Sequence, residues 1–206
     1  MKVLIVAKTK MSDRICVGAI TIEGKFIRLL TNDGNNQPEG TKYAVRQVWD
    51  LEFDKKIGTK PPHIEDVLVR HKIYKRTLAK EERIIDIISK LNTPIVEGNL
   101  CIAFDNKLKW TQKGSGYINN EGIPAHSVCF WKPDKDLILE KENEKVYYVY
   151  KNSNYFYHIR YKGLEEEIEL IPNGTLIRLS LARWWNNDDS DREDRCYLQL
   201  SGWYDL

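Results

Sequence analysis

The chain has 206 residues, 42% of them hydrophobic and 30% charged, with 32 Lys and Arg against 30 Asp and Glu. That balance excludes a disordered chain and supplies enough apolar residues for one large domain or two small ones of about 100 residues each. A net charge of +2 is too mild to demand a polyanion partner, so the distribution of Lys and Arg matters more than their sum.

Lys2 to Thr9 predicts a first strand, because the apolar run Val3 to Ala7 suits a strand buried on both faces. A basic turn with Lys8, Lys10 and Arg14 leads to a second strand over Ile15 to Ile22, rich in β-branched residues. Glu23-Gly24-Lys25 is a tight turn into a third strand, Phe26 to Leu30, with Arg28 embedded in it. Thr31 to Gly40 is a loop. Val45 to Phe53 alternates apolar and polar residues, the mark of a half-buried strand, and Glu65 to Tyr74 is extended. Leu78 to Leu91 predicts one amphipathic helix, with Ile84, Ile85, Ile87, Ile88 and Leu91 at helical spacing, Thr77 as N-cap and Asn92-Thr93-Pro94 as stop. Its other faces mix Glu81, Glu82 and Asp86 with Arg83 and Lys90, so the helix reads as structural rather than as a DNA-reading element.

Asn99 to Trp110 starts as a strand, and Gln112 to Ile123, with Gly114, Gly116 and Gly122, reads as a flexible connection. Beyond it, strands are expected over Ser127 to Trp131, Val146 to Lys151, Tyr155 to Tyr161, Glu167 to Ile171, Thr175 to Trp184 and Cys196 to Tyr204. Many short strands with one helix predict a mostly β chain of small barrels or sandwiches. The expected domains are 1–112, a barrel plus helix, and 124–206, a second barrel. Short apolar runs exclude a membrane-spanning segment, and the N-terminal run lacks the length and cleavage site of a signal peptide, so the expectation is a cytoplasmic protein with no membrane association. Cys16, Cys101, Cys129 and Cys196 are too dispersed for a zinc knuckle or a redox pair, and no metal or cofactor is expected.

Three sets of residues resemble a known family. One is the run Val-Leu-Ile-Val-Ala-Lys-Thr-Lys-Met near the start, with Arg-Leu-Leu at 28–30 and Asn-Gln-Pro at 36–38. Another is Pro-Pro-His-Ile-Glu-Asp-Val at 61–67. The most specific is Arg-Leu-Ser-Leu-Ala-Arg-Trp-Trp at 178–185 followed by Cys-Tyr-Leu-Gln-Leu-Ser-Gly-Trp-Tyr at 196–204. Together they resemble the bacterial dual OB-containing family (DuOB) over nearly the whole chain. The resemblance implies two tandem OB-like β-barrels and a role in nucleic-acid recognition, in settings of defence against foreign genetic elements that imply a partner protein from the same operon.

The residues that could carry such binding cluster near the C-terminus. Arg178, Arg183, Trp184, Trp185, Arg195 and Trp203 combine flat rings for base stacking with guanidinium groups for phosphate. Leu179 and Leu181 must face a core, which turns Arg178 and Trp184 outward by parity. Buried ring packing is the alternative for these aromatics, and the acidic run Asp188, Asp189, Asp191, Glu193 and Asp194 beside them repels phosphate. Lys8, Lys10 and Arg28, with Arg14, form a second basic group at one rim of the first barrel. Tyr147, Tyr148, Tyr150, Tyr155, Tyr157, His158, Arg160 and Tyr161 form a third, either a stacking platform or stiff strands. The one motif with an enzymatic look is His63 with Glu65 and Asp66, an incomplete constellation for metal or base catalysis. The competing expectations are therefore a single-strand-binding module, a protein-interaction adaptor using the same aromatics, and a metal-dependent nuclease centred on His63, Glu65 and Asp66.

Overall fold

The computed structural model describes residues 1–185 and 193–205, and it is mostly β, with 52% strand and 7% helix. Its contacts divide the chain into two compact units. The first holds Met1–Lys60, Ile64–Pro94 and Asp205; the second holds Pro61–His63 and Ile95–Tyr204. The divide at 94/95 falls earlier than the 112–124 stretch that composition points to, because Ile95–Gly98 pairs in parallel with Val128–Pro133 of the second unit.

The first unit contains β1 (Lys2–Met11), β2 (Arg14–Thr21), β3 (Phe26–Leu30), β4 (Gln37–Pro38), β5 (Gln47–Lys55) and β6 (Asp66–Thr77). The order β1-β5-β6-β3-β2 returns to β1 through the β1–β2 pairing, which closes a five-stranded barrel, and β4 flanks β2. Closure removes the unpaired edges that an open sheet exposes. Alternation fills the interior: Ile15, Val17 and Ala19 of β2, Trp49 and Leu51 of β5, and Val67 and Val69 of β6 share one cluster with Val3 and Ile5. The Val3–Ala7 run is buried on both faces, as its continuous apolar character requires.

The helix of this unit, α1 (Ile84–Lys90), is shorter than the 78–91 span expected, and Thr77 ends β6 instead of capping it. Residues 78–82 are held in other geometry. Leu78 N–H donates to Arg46 O, and Ala79 N–H donates to the Glu82 carboxylate. Glu82 is also clamped by Arg76, and these two interactions pull its carboxyl down to a pKa of about 2. The cap comes from far along the chain: Asp205 accepts from Ile84 N–H at 3.2 Å and Ile85 N–H at 3.0 Å, satisfying donors that the first turn leaves open. At the other end Thr93 Oγ1 donates to Gly24 O, and Gly24, at φ +76°, lies so close that a Cβ there would stand 2.4 Å from Leu91 O.

The second unit contains β7 (Ile95–Gly98), β8 (Lys109–Trp110), β9 (Gly116–Asn119), β10 (Val128–Pro133), β11 (Leu137–Glu142), β12 (Lys145–Asn152), β13 (Tyr155–Tyr161), β14 (Leu170–Ile171), β15 (Leu176–Leu181) and β16 (Arg195–Tyr204). They form a ten-stranded sheet ordered β14-β11-β12-β13-β16-β15-β10-β7, with β9 on β16 and β8 on β9. The β11–β12–β13 meander and the parallel β13–β16 pairing repeat the β1–β2–β3 meander and the parallel β3–β6 pairing of the barrel. Where β1 meets β5 in the barrel, however, no ladder joins β11 to β15 among the described residues; β14 and β10 take those edges. The expected second barrel is therefore present as a large sheet rather than a closed ring. Its core gathers Trp131, Tyr148, Tyr150, Leu179, Cys196 and Leu200. Among the described residues no helix is long and apolar enough to cross a membrane.

Candidate nucleic-acid interface

Strand parity builds this surface. On β16, Cys196, Leu198 and Leu200 point into the core, which turns Arg195 and Tyr197 to the other side. β9 pairs with it so that Tyr117 lies opposite Tyr197 and Asn119 opposite Arg195. Lys109 of β8 is opposite Tyr117. Trp185 bridges directly to Arg195 through two backbone hydrogen bonds of 2.9 and 3.1 Å.

The result is a run of three rings that ends on the buried Tyr117. Trp185, 50% exposed, lies 6.3 Å from Tyr197, whose ring is 6.1 Å from Tyr117. The Arg195 guanidinium covers Tyr117 at 4.1 Å, a cation–π contact. Beside it opens a depression of about 530 Å³ lined by Trp110, Gln112, Lys113, Ser115, Tyr117 and Arg195. Trp110 packs on Tyr157 at 4.0 Å, and Tyr157 stacks on Tyr155, which is 68% exposed. Carboxylates accompany the cations: Glu193 accepts from Arg195 at 2.9 Å, and Glu121 pairs with Lys109. Hydrogen bonds from Asn119 and Arg195 hold the Glu193 carboxyl below its ordinary range, so it stays an anion beside the rings.

The residues singled out in the sequence fall into distinct environments. Trp185 and Arg195 belong to this surface, and Arg183 is exposed close by. Trp184 is half-buried against the core, and its indole N–H donates to Pro61 O at 2.7 Å. Trp203 is also half-buried, edge-on to Tyr148 at 5.4 Å and 5.2 Å from Tyr161. Arg178 does lie opposite the core leucines, but it is only 6% exposed. The face it shares is itself packed, with Val128, Phe130, Leu176 and Tyr204 all buried, so its guanidinium is not offered to solvent. Arg28 is 8% exposed and bound to Glu65 at 2.6 Å and Asp66 at 3.3 Å. Lys8 and Lys10 stand near the tip of the β1–β2 hairpin, half-buried and exposed respectively. Of the tyrosine-rich group, Tyr148, Tyr150 and Tyr161 are buried, whereas Tyr155 is open. Asp188, Asp189 and Asp191 lie outside the described residues.

His63 is buried with Nε2 at 3.7 Å from Cys196 Sγ in the second unit, and the two carboxylates are taken by Arg28 in the first. Among the described residues no group of three His, Cys, Asp or Glu side chains is placed to hold a metal ion. Trp110, Lys113 and Tyr117 were not legible as site residues, because the glycines around them suggest a flexible linker. The one available signal was a Trp and a Tyr flanking a Lys within eight residues.

The family described as dual OB-containing domain matches residues 1–203. The "Probable polyketide synthase 5" of Dictyostelium discoideum is 27% identical over 121 residues, 49% of this chain but only 5% of that protein's length. Among solved structures, the p204 HINb domain aligns over 97% of this chain and 95% of its own at 11% identity, with a TM-score of 0.35. A murine DNA-binding protein bound with double-stranded DNA aligns over 97% and 91% at 10% identity, with a TM-score of 0.31.

Proposed function

We propose that this chain, which belongs to the dual OB-containing domain family, is a nucleic-acid-binding module that takes a single strand of DNA or RNA along the ring surface of its second unit. The observation that carries this reading is two runs of rings, Trp185–Tyr197–Tyr117 and Trp110–Tyr157–Tyr155, that meet at the depression carrying Arg195 and Lys113; Tyr117 is buried, so Trp185, Tyr197, Trp110 and Tyr155 are the rings that reach solvent. Every base has a π-face, so such a surface binds with little regard to sequence, while the cations meet the phosphates. Arg183 adds charge at the Trp185 end; Trp184 and Trp203 brace the sheet behind it. On the first unit, Lys8 and Lys10 offer a separate phosphate contact. Arg28 and Arg178 are assigned structural roles because they are buried.

Four free thiols fit a reducing cytoplasm. The family resemblance supports the further reading that binding serves defence against foreign genetic elements alongside a partner protein.

The test is fluorescence anisotropy with labelled oligonucleotides, single-stranded DNA and RNA against duplex, at low and moderate salt. Single strands are expected to bind better than duplex. Trp185→Ala should cost about 1–3 kcal/mol, the worth of one stacked base, which is roughly five- to hundredfold in affinity. Equal, undiminished binding of the variant, or no binding by the native chain at low salt, overturns the reading. A protein recovered in stoichiometric complex, with no oligonucleotide bound, would favour an adaptor on the same rings.

A further inference from the structure

The depression at the centre of the ring surface has features that a plain stacking strip does not need. Its volume is about 530 Å³ and it opens broadly to solvent, so a ligand there would be held against one side rather than enclosed. Trp110 supplies an aromatic wall, Gln112 and Ser115 supply neutral hydrogen-bonding groups, and Lys113 and Arg195 supply two positive charges; the buried Tyr117 ring is covered by the Arg195 guanidinium.

The wall carrying Lys113 is rigid. Thr111 N–H donates to Ser115 O at 3.0 Å, Gly114 N–H to Thr111 O at 2.9 Å, and Ser115 N–H to Thr111 Oγ1 at 3.0 Å. The turn is then latched to β13, where His158 N–H donates to Gly114 O at 2.9 Å. Gly114 takes φ +77°, and a Cβ there would come within 2.1 Å of Phe156 O, so this close approach requires glycine. A neighbouring contact is as tight: a Cβ on Gly116 would be 2.8 Å from the Trp110 ring. Walls set in advance lower the ordering cost of binding.

The charges are unevenly matched. Arg195 has Glu193, and Lys109 has Glu121. Lys113 is exposed and makes no hydrogen bond or ion pair among the described residues. An ammonium with no partner among the described residues, on a fixed turn that lines the same depression as Trp110, suits a ligand that is flat at one end and anionic at the other.

We propose that this depression seats one unstacked nucleoside phosphate, with its base against Trp110 and its phosphate at Lys113 and Arg195. The proposal rests on reading the ring surface as a single-strand track, and it names the nucleotide that the track draws aside. A terminal phosphate and an internal phosphodiester share the chemistry that the site recognises.

The experiment uses the full chain and four probes: a nucleoside 5′-monophosphate, the matching nucleoside, inorganic phosphate, and an oligonucleotide with or without a 5′-phosphate. Tryptophan emission reports binding, and Trp110→Phe assigns the signal. The monophosphate is expected to quench emission at concentrations where nucleoside and phosphate alone do not. Trp110→Phe should remove that quench, and Lys113→Ala should weaken the monophosphate at least tenfold. A 5′-phosphorylated oligonucleotide binding better than its hydroxyl form assigns the pocket to a strand end; equal binding, weakened by Lys113→Ala, assigns it to an internal nucleotide. The proposal is overturned if millimolar monophosphate leaves emission unchanged and Lys113→Ala binds oligonucleotide like the native chain. It is also overturned if inorganic phosphate binds as well as the monophosphate. Monophosphate binding without oligonucleotide binding would instead retain the pocket and remove the track.

Discussion

Arg28 shows how burial decides between two roles open to the same side chain. It is 8% exposed and lies against Glu65 and Asp66, so its guanidinium answers to carboxylates within the fold. Removing one partner from a buried ionic group leaves uncompensated charge, which costs about 3–5 kcal/mol. Arg28→Met is therefore expected to lose roughly that much stability in urea denaturation, while the folded protein retains its oligonucleotide affinity. A stable variant with weakened binding would return Arg28 to the interface. Trp185 is the opposite case: half its surface is open, so replacing it should change affinity far more than stability. Sequence parity placed Arg178 and Trp184 on a non-core face, yet Arg178 is sealed and Trp184 is half-buried. Alternation tells which side a residue takes; it does not tell whether something else covers that side.

The same distinction operates on whole elements. Strands with a local reason for each apolar position were legible from the sequence, β5 by its period-two pattern and β2 by its β-branched residues. Of the helix expected over Leu78 to Leu91, only Ile84–Lys90 is helical. Ile84 and Ile88 are its buried positions, whereas residues 78–82 obey Arg46, Arg76 and a carboxylate, partners that no local pattern reveals. Its cap was hidden for the same reason, since Asp205 is 120 residues beyond Ile85. Asp205→Ala is expected to destabilise the protein by about 1 kcal/mol, within the range for lost N-caps, and to speed amide hydrogen exchange at Ile84 and Ile85 before other positions in the barrel. Unchanged exchange at those two amides would show that the carboxylate does not cap the helix. The β8–β9 hairpin was the element misread most fully. Its glycines look like freedom in a sequence, but Gly114 and Gly116 permit close contact with Phe156 O and the Trp110 ring, so they mark a tightly fitted turn.

Across the whole molecule, charge and rings are distributed unequally. Residues 1–94 hold 18 Lys and Arg against 12 Asp and Glu, and residues 95–206 hold 14 against 18. The proposed stacking surface thus belongs to the more acidic part, where Glu193 and Glu121 already occupy two of its cations. Few counterions are released when prepaired cations meet phosphate. The slope of log affinity against log salt is therefore expected at about −1 to −3 for a single strand, equivalent to two to four phosphates at roughly 0.7 each. A slope steeper than about −5 would point to a long basic track instead. The path of the chain has a further consequence. Residues 61–63 belong to the second unit although 64–94 belong to the first, and residue 205 returns to the first. A chain cut at 94/95 would therefore part residues 61–63 from the second unit and residue 205, which caps α1, from the first.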